Sequence, residues 1–200
     1  PQPAGTPFFA ISAMTTSPRQ QHLIAAVRSK NDLNKVIRTS IQNVFILSSD
    51  LCQLEDQCRT LHRAGKNVFP HLDLIDGLKG DASGIRFASQ HFKITGIIST
   101  KPHCVKLAKE AGLLAILRVF ILDSSALKTG AQNAQLCRPD FVEVLPGLSP
   151  KIIRLALKTF TAPLIAGGLI QEKDDMTEAI AAGAAAVSTS NWNLWENPDL

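Results

Sequence analysis

Short apolar runs alternate along this chain with longer segments of mixed character. The runs are Leu23–Val27, Val44–Leu47, Val68–Leu74, Gly96–Ser99, Leu113–Ile121, Phe141–Leu145, Pro163–Ala166 and Ala185–Ser188. They are nearly continuous in Val, Ile, Leu and Phe instead of alternating strictly with polar residues, which suits strands covered on both faces of a parallel sheet. Each intervening segment reads as a helix with recognisable ends. Gly65, Gly112 and Gly183 stand just past a helical pattern and just before an apolar run, the place where glycine stops a helix. Ser149-Pro150 and Thr100-Lys101-Pro102 put a hydroxyl ahead of a proline at or near a first helical position. Across Lys151–Phe160, Ile152, Ile153, Leu155 and Leu157 form one broad apolar face opposite Arg154 and Lys158. Eight such units predict an α/β protein, a compact single-domain (β/α)8 barrel of the TIM type over residues 21–200. An open doubly wound sheet is the alternative, and the lack of a Gly-x-Gly-x-x-Gly after the first run weighs against it. Residues 1–20, with Pro3, Pro7 and Pro18, are set apart as a leader, expected to be disordered.

Composition narrows the class. With 200 residues, 45% hydrophobic and 19% charged, the chain can bury one core and is not a disordered polypeptide. Its apolar runs are too short to cross a bilayer, so no membrane partner is expected. Phe8–Met14 lacks a preceding basic residue and is too short for a signal peptide, which points to a cytoplasmic protein. Cys52, Cys58, Cys104 and Cys137 form no Cys-x-x-Cys pair, so free thiols are expected and no metal site is assigned. The net charge of +4 lies entirely in residues 1–100, a balance that permits a nucleic-acid partner without requiring one.

In a (β/α)8 barrel, ligands meet the loops at the C-terminal ends of the strands. The last two units end in Ala166-Gly167-Gly168-Leu169-Ile170 and Val187-Ser188-Thr189-Ser190-Asn191. Paired glycines let an anion approach the backbone, and hydroxyl and amide groups ahead of a helix start add donors and a favourable dipole. A phosphate-bearing ligand is therefore expected, a tight turn and an N-cap being the plainer reading. Asp73 closes the third run, and Glu143 stands between Val142 and Val144 in the sixth. A carboxylate in such a strand needs a partner, either a ligand hydroxyl or an internal arginine such as Arg28 or Arg118. His71 on the third run is divided evenly between packing and a polar role; the remaining histidines and the two tryptophans read as surface and packing residues. With no nucleophile–base pair, metal triad or Schiff-base lysine, the site is better equipped to hold a phosphate than to transform it.

At His71–Lys79, HLDLIDGLK, the chain resembles the glycerol-3-phosphate-responsive antiterminator proteins. Further matching stretches are GIIST at Gly96–Thr100, FILDSSAL at Phe120–Leu127 and PDFVEVLPG at Pro139–Gly147. SPKII at Ser149–Ile153, PLIAGGLI at Pro163–Ile170 and AVSTSN at Ala186–Asn191 complete the set, which covers roughly residues 22–195 in one order. The resemblance implies a barrel that senses glycerol 3-phosphate and, when loaded, acts on the leader mRNA of glycerol-utilisation operons to prevent premature termination. It implies no cofactor, only this effector. Gly167, Gly168, Ser188, Thr189, Ser190 and Asn191 would then hold the phosphate, Asp73 and Glu143 would accept from the glycerol hydroxyls, and Arg28 would complete the pocket.

Two stretches depart from the family pattern. The second run ends Leu47-Ser48-Ser49-Asp50-Leu51, where a glycine-containing loop is expected, and the fifth reads Ile116-Leu117-Arg118, where a glutamine often precedes the arginine. No RNA-binding signature is present, so a basic face is assigned to Lys66, Lys79, Lys101 and Lys106, with Arg86 and Lys93 as further contributors. A homo-oligomer would concentrate this scattered charge. The rival reading is a (β/α)8 enzyme on a small phosphorylated metabolite, with Asp73 or Glu143 as base; a sensor whose output is another protein is the third.

Overall fold

The computed structural model describes residues 22–196, so the leader assigned to residues 1–20 lies outside the described part. Within it, strand and helix alternate eight times: β1 (Leu23–Val27), α1 (Lys30–Val36), β2 (Asn43–Ile46), α2 (Leu51–Arg63), β3 (Asn67–Pro70), α3 (Ala82–Phe87), β4 (Gly96–Ser99), α4 (Pro102–Glu110), β5 (Leu114–Phe120), α5 (Ser124–Cys137), β6 (Phe141–Leu145), α6 (Pro150–Leu157), β7 (Leu164–Gly167), α7 (Lys173–Ala181), β8 (Ala186–Thr189) and α8 (Trp192–Glu196). The strands are parallel and follow one another around the sheet in the order β3-β2-β1-β8-β7-β6-β5-β4. Between β3 and β4 the ladder shrinks to one bridge, His71 with Ile98. Thr95 reinforces that seam: its N–H donates to the Val68 carbonyl (2.9 Å) and its hydroxyl accepts from the Val68 N–H (3.1 Å). The result is a nearly closed (β/α)8 barrel.

Helix ends are set locally. Gly65, Gly112 and Gly183 have φ of 72°, 78° and 109°, and each ends a helix immediately before a strand. Asp50, Asp81, Asp123 and Ser149 cap α2, α3, α5 and α6 by accepting a backbone N–H from the first turn. Thr100 does not cap α4; its hydroxyl and N–H both turn to Asp73 instead. The third apolar run, expected to be strand through Leu74, ends at Pro70 and passes into a 3-10 turn over Leu72–Leu74, which tucks Leu72 into the core. α3 continues into a π-helical turn, Ala88–Phe92, closed by Lys93 in the left-handed region (φ 52°).

Two apolar layers hold the barrel together. One lies between strands and helices; α2, for example, buries Leu54, Cys58 and Leu61 on a single face. The other fills the barrel and includes Ile24, Phe45, Phe69, Ile116, Phe141 and Ile165, with Phe45 and Phe69 packed edge to face at 5.9 Å. Because strand side chains alternate with a period of two, the next inward positions toward the C-terminal end follow directly. Arg118 follows Ile116, Glu143 follows Phe141, Gly167 follows Ile165 and Ser188 follows Ala186. The barrel interior is therefore apolar below and polar in its top layer. All four cysteines are free thiols, with only Cys52 exposed, and no described helix is long and apolar enough to cross a membrane.

Candidate functional site at the barrel mouth

The polar top layer is organised around Glu143. Its Oε2 accepts from Arg118 Nε at 2.6 Å and its Oε1 accepts from Ser188 Oγ at 2.6 Å. Arg118 stands beside it because β5 and β6 pair the two residues directly, whereas Ser188 reaches it from β8, two strands away. The Arg118 and Glu143 side chains retain 7% and 1% of their exposure, so this is a buried ion pair. Of the two internal partners the sequence offered, the structure selects Arg118. Gly167 is required beside it: a Cβ there would stand 2.6 Å from Glu143 Oε1 and 2.7 Å from Ser188 Oγ.

Above the pair opens a small cavity of about 100 Å³ at the C-terminal ends of the strands, where barrels of this type bind ligands. Arg28, Arg118, Glu143, Gly168, Ser188 and Ser190 supply much of its polar lining, with Ala26, Leu47 and Leu145 as apolar walls. Arg118 is already balanced by Glu143, whereas no carboxylate lies within 4.0 Å of the exposed Arg28 guanidinium among the described residues. The cavity therefore carries one uncompensated positive charge, and an anion is the complementary ligand.

The last two strand-end loops form its rim. Gly168 (φ 79°) and Leu169 (φ 62°) lie consecutively in the left-handed region. For leucine this conformation costs about 1–2 kcal/mol, a strain typical of ligand-binding turns. Gly147 N–H donates to the Gly167 carbonyl (2.6 Å), Thr189 Oγ1 donates to the Ile170 carbonyl (2.8 Å), and Asn191 Nδ2 donates to the Gln171 carbonyl (2.7 Å). Trp195 closes the last turn from below, donating its indole N–H to the Thr189 carbonyl at 3.0 Å.

The structure thus brings Arg28, Glu143, Gly168, Ser188, Thr189 and Ser190 to one cavity, with Gly167 supporting it from behind. Asn191 is engaged in the loop tie and in capping Asn193 N–H, outside the lining. Asp73 is not brought there. It sits in the turn after β3 and accepts from Ser99 Oγ, Thr100 N–H and Thr100 Oγ1 at 2.7–2.9 Å, with Lys101 Nζ 3.6 Å away. Burial raises its carboxyl, but those hydrogen bonds outweigh burial and the net shift is downward from 3.8. Gln171 also lines the cavity, and nothing in its sequence pattern singled it out.

His71 lies between the two groups, 3% exposed, its Nδ1 without a hydrogen-bond partner and 4.0 Å from Asp73 Oδ2. Burial, then the nearby Arg118 charge, lowers it from 6.5 to about 4, so the ring is neutral near pH 7.

The lysines assigned to a basic face do not assemble. Lys66 is buried and donates to the Thr39 carbonyl (2.5 Å), and its burial lowers its affinity for a proton. Lys79 and Lys101 flank the Asp73 turn, while Lys106 pairs along α4 with Glu110 at 4.0 Å.

Comparison with known proteins agrees with this architecture. The family model described as glycerol-3-phosphate responsive antiterminator matches residues 23–195. The chain belongs to that family. Among curated proteins, this antiterminator-family barrel is 34% identical over 177 residues to the uncharacterized protein YgcP of Escherichia coli K12, covering 88% of this chain and 93% of YgcP. Among solved structures it is similar to the glycerol uptake operon antiterminator regulatory protein of Listeria monocytogenes, at 36% identity and TM-score 0.85, covering 88% and 96% of the two chains. A glycerol uptake operon antiterminator-related protein of Thermotoga maritima follows at 33% identity and TM-score 0.77, covering 86% and 96%. Aldolases also match, at 13% identity and TM-scores of 0.66–0.67, and share the fold alone.

Proposed function

We propose that this protein is a cytoplasmic regulator that binds glycerol 3-phosphate and, in response, controls transcription antitermination through the leader mRNA of glycerol-utilisation operons. The observation that carries the ligand assignment is the cavity itself: one unpaired cation, Arg28, stands among the hydroxyls of Ser188, Thr189 and Ser190 over a buried Glu143. An anionic headgroup would be met by Arg28, the rim hydroxyls and the loop backbone; glycerol hydroxyls would face Arg118 and Glu143. Family membership points to the same effector. The engagement of Glu143 by Arg118 and Ser188 supports a holding role over that of a free general base.

Thermal unfolding tests the ligand directly. Glycerol 3-phosphate at a hundredfold excess over its dissociation constant adds about 2.7 kcal/mol of apparent stability. For a domain of this size that raises Tm by ~5–10 °C. Glycerol and inorganic phosphate should each shift it less. No shift with millimolar glycerol 3-phosphate, beside a clear shift with another phosphate ester, would overturn the ligand assignment. Turnover of a phosphorylated triose or polyol would overturn the regulatory reading in favour of an enzyme.

A further inference from the structure

A parallel barrel places every helix N-terminus at the mouth and every helix C-terminus at the base. The local preference for acids at N-termini and bases at C-termini therefore adds up to a charge difference between two faces. Here the mouth carries the capping carboxylates of Asp32, Asp50, Asp81, Asp123 and Asp175, each accepting backbone N–H groups at a helix start. The base carries Arg63, Lys93, Arg138 and Lys158 at helix ends. The rim also holds Lys30, Lys79, Lys101, Lys151 and Lys173, and Glu110 and Glu178 stand toward helix ends, so the bias of a polyanion toward the base is one of degree.

One sector of that end is shaped to receive it. Between α2 and the π-helical turn Ala88–Phe92 runs an open groove of about 450 Å³ lined by Glu55, Arg59, His62, Arg63, His91 and Lys93, with Phe92 at its floor. Arg59 is neutralised by Glu55 (2.7 Å) and Asp56 (3.1 Å). Arg63 and Lys93 are exposed and have no carboxylate within 4.0 Å among the described residues. His62 Nε2 is tied to the Phe92 carbonyl at 3.1 Å, which fixes the two walls relative to each other. At the groove's edge the exposed His91 ring lies over Phe87, itself 40% exposed, with centroids 4.3 Å apart and planes at 31°. Two free cations beside a partly exposed, tilted ring pair are the elements that hold phosphodiester backbone and unstacked bases in single-stranded nucleic acid.

We infer that the groove between α2 and the Ala88–Phe92 turn is the RNA-docking surface, with Arg63 and Lys93 contacting backbone phosphates and the Phe87–His91 pair stacking a base. This inference rests on the antitermination reading above and locates its RNA partner at the barrel base, remote from the ligand cavity.

The test is fluorescence anisotropy of the full chain with a labelled mixed-sequence single-stranded RNA of ~20 nucleotides. Binding is measured across a salt series, with and without glycerol 3-phosphate. R63E/K93E is compared with K79E/K101E, which alters net charge equally but at the mouth rim. R63E/K93E should weaken binding at least ~10-fold and reduce the salt slope by about 1.4, the value for two lost phosphate contacts on a single strand. K79E/K101E should bind like the parent, and all three proteins should keep the glycerol 3-phosphate thermal shift. Phe87→Ala should weaken binding without changing the salt slope. A parent chain that binds no RNA in either ligand state would retire the antitermination reading together with the groove. A parent that binds RNA while R63E/K93E binds equally well, or while K79E/K101E is the defective variant, would retire the groove alone.

Discussion

Replacing Glu143 by glutamine removes one negative charge from the barrel interior and leaves shape and volume almost unaltered. The amide oxygen can still accept from Arg118 Nε, and the hydroxyl of Ser188 can rotate to accept from the new amide, so the hydrogen-bond count survives. What is lost is the counter-charge of a guanidinium whose side chain is 7% exposed and whose Nε lies 2.6 Å from the carboxylate. An orphaned buried charge of this kind costs about 3–5 kcal/mol, and the sliver of exposure left to Arg118 favours the lower end. In a domain of this size ~3 kcal/mol lowers Tm by ~6–12 °C. Urea unfolding at neutral pH, followed by the fluorescence of the buried Trp195, reads the change in midpoint. The double variant R118M/E143L is the decisive control: removing both charges and filling the space with apolar atoms should recover stability to within ~1 kcal/mol of the parent. It should lose glycerol 3-phosphate binding all the same. E143Q unfolding within ~0.5 kcal/mol of the parent, or a double variant as unstable as the sum of its singles, would refute the buried-pair argument.

Three further outcomes follow from single features. His71 is lowered from 6.5 to about 4, so between those pH values the unfolded chain binds more protons and stability falls as pH drops through that window. The loss amounts to about 3 kcal/mol at ~1.4 kcal/mol per pH unit, and His71→Leu should flatten the difference between urea midpoints at neutral and mildly acid pH; an unchanged difference would exclude His71 as its source. Gly167→Ala forces a Cβ to 2.6 Å from Glu143 Oε1, whereas Gly65→Ala meets nothing within 4 Å and pays only for its φ of 72°. Calorimetry should show about 1–3 kcal/mol lost and weakened glycerol 3-phosphate binding for the first, against about 1–2 kcal/mol and unaltered binding for the second. Burial raises the thiols of Cys58 and Cys137 to about 12 and about 11, and Cys104 is also raised and buried. Iodoacetamide on the native protein should therefore label Cys52 alone, with all four modified after denaturation, as peptide mass mapping would show; rapid native labelling of Cys58 would contradict the packing.

The barrel was legible in the sequence because its signals are local. Continuous apolar runs, glycines at Gly65, Gly112 and Gly183, and the Ser149 cap each act within a turn or two, and the eightfold recurrence of the runs leaves few topologies. The same locality marked the glycine and hydroxyl loops after β7 and β8 as anion-ready, and both now line one cavity. Local rules failed where a group had several possible partners. Thr100 looked like a cap for α4, yet a carboxylate 27 residues away holds its hydroxyl; Lys66 looked like a surface lysine, yet its ammonium closes on a carbonyl 27 residues before it.

Strand periodicity by itself determined that Arg118 shares a face with Ile116 and Glu143 a face with Phe141; that these faces turn inward was left to the structure, because both faces of each run are apolar. Only the tertiary structure decided which of those inward residues stand at the same height, because that depends on the register between strands. The pairing of β5 with β6 sets Arg118 against Glu143 across 25 residues of chain, and barrel closure brings Ser188 to the same carboxylate across 45. Asp73, equally acidic and equally close to a strand end, faces a different loop because β3 breaks into a 3-10 turn before reaching the mouth. The net charge of +4 is likewise a property of the sequence, but the placement of the capping carboxylates at the mouth and of Arg63, Lys93, Arg138 and Lys158 at the base comes from threading eight helices in one direction around a nearly closed sheet.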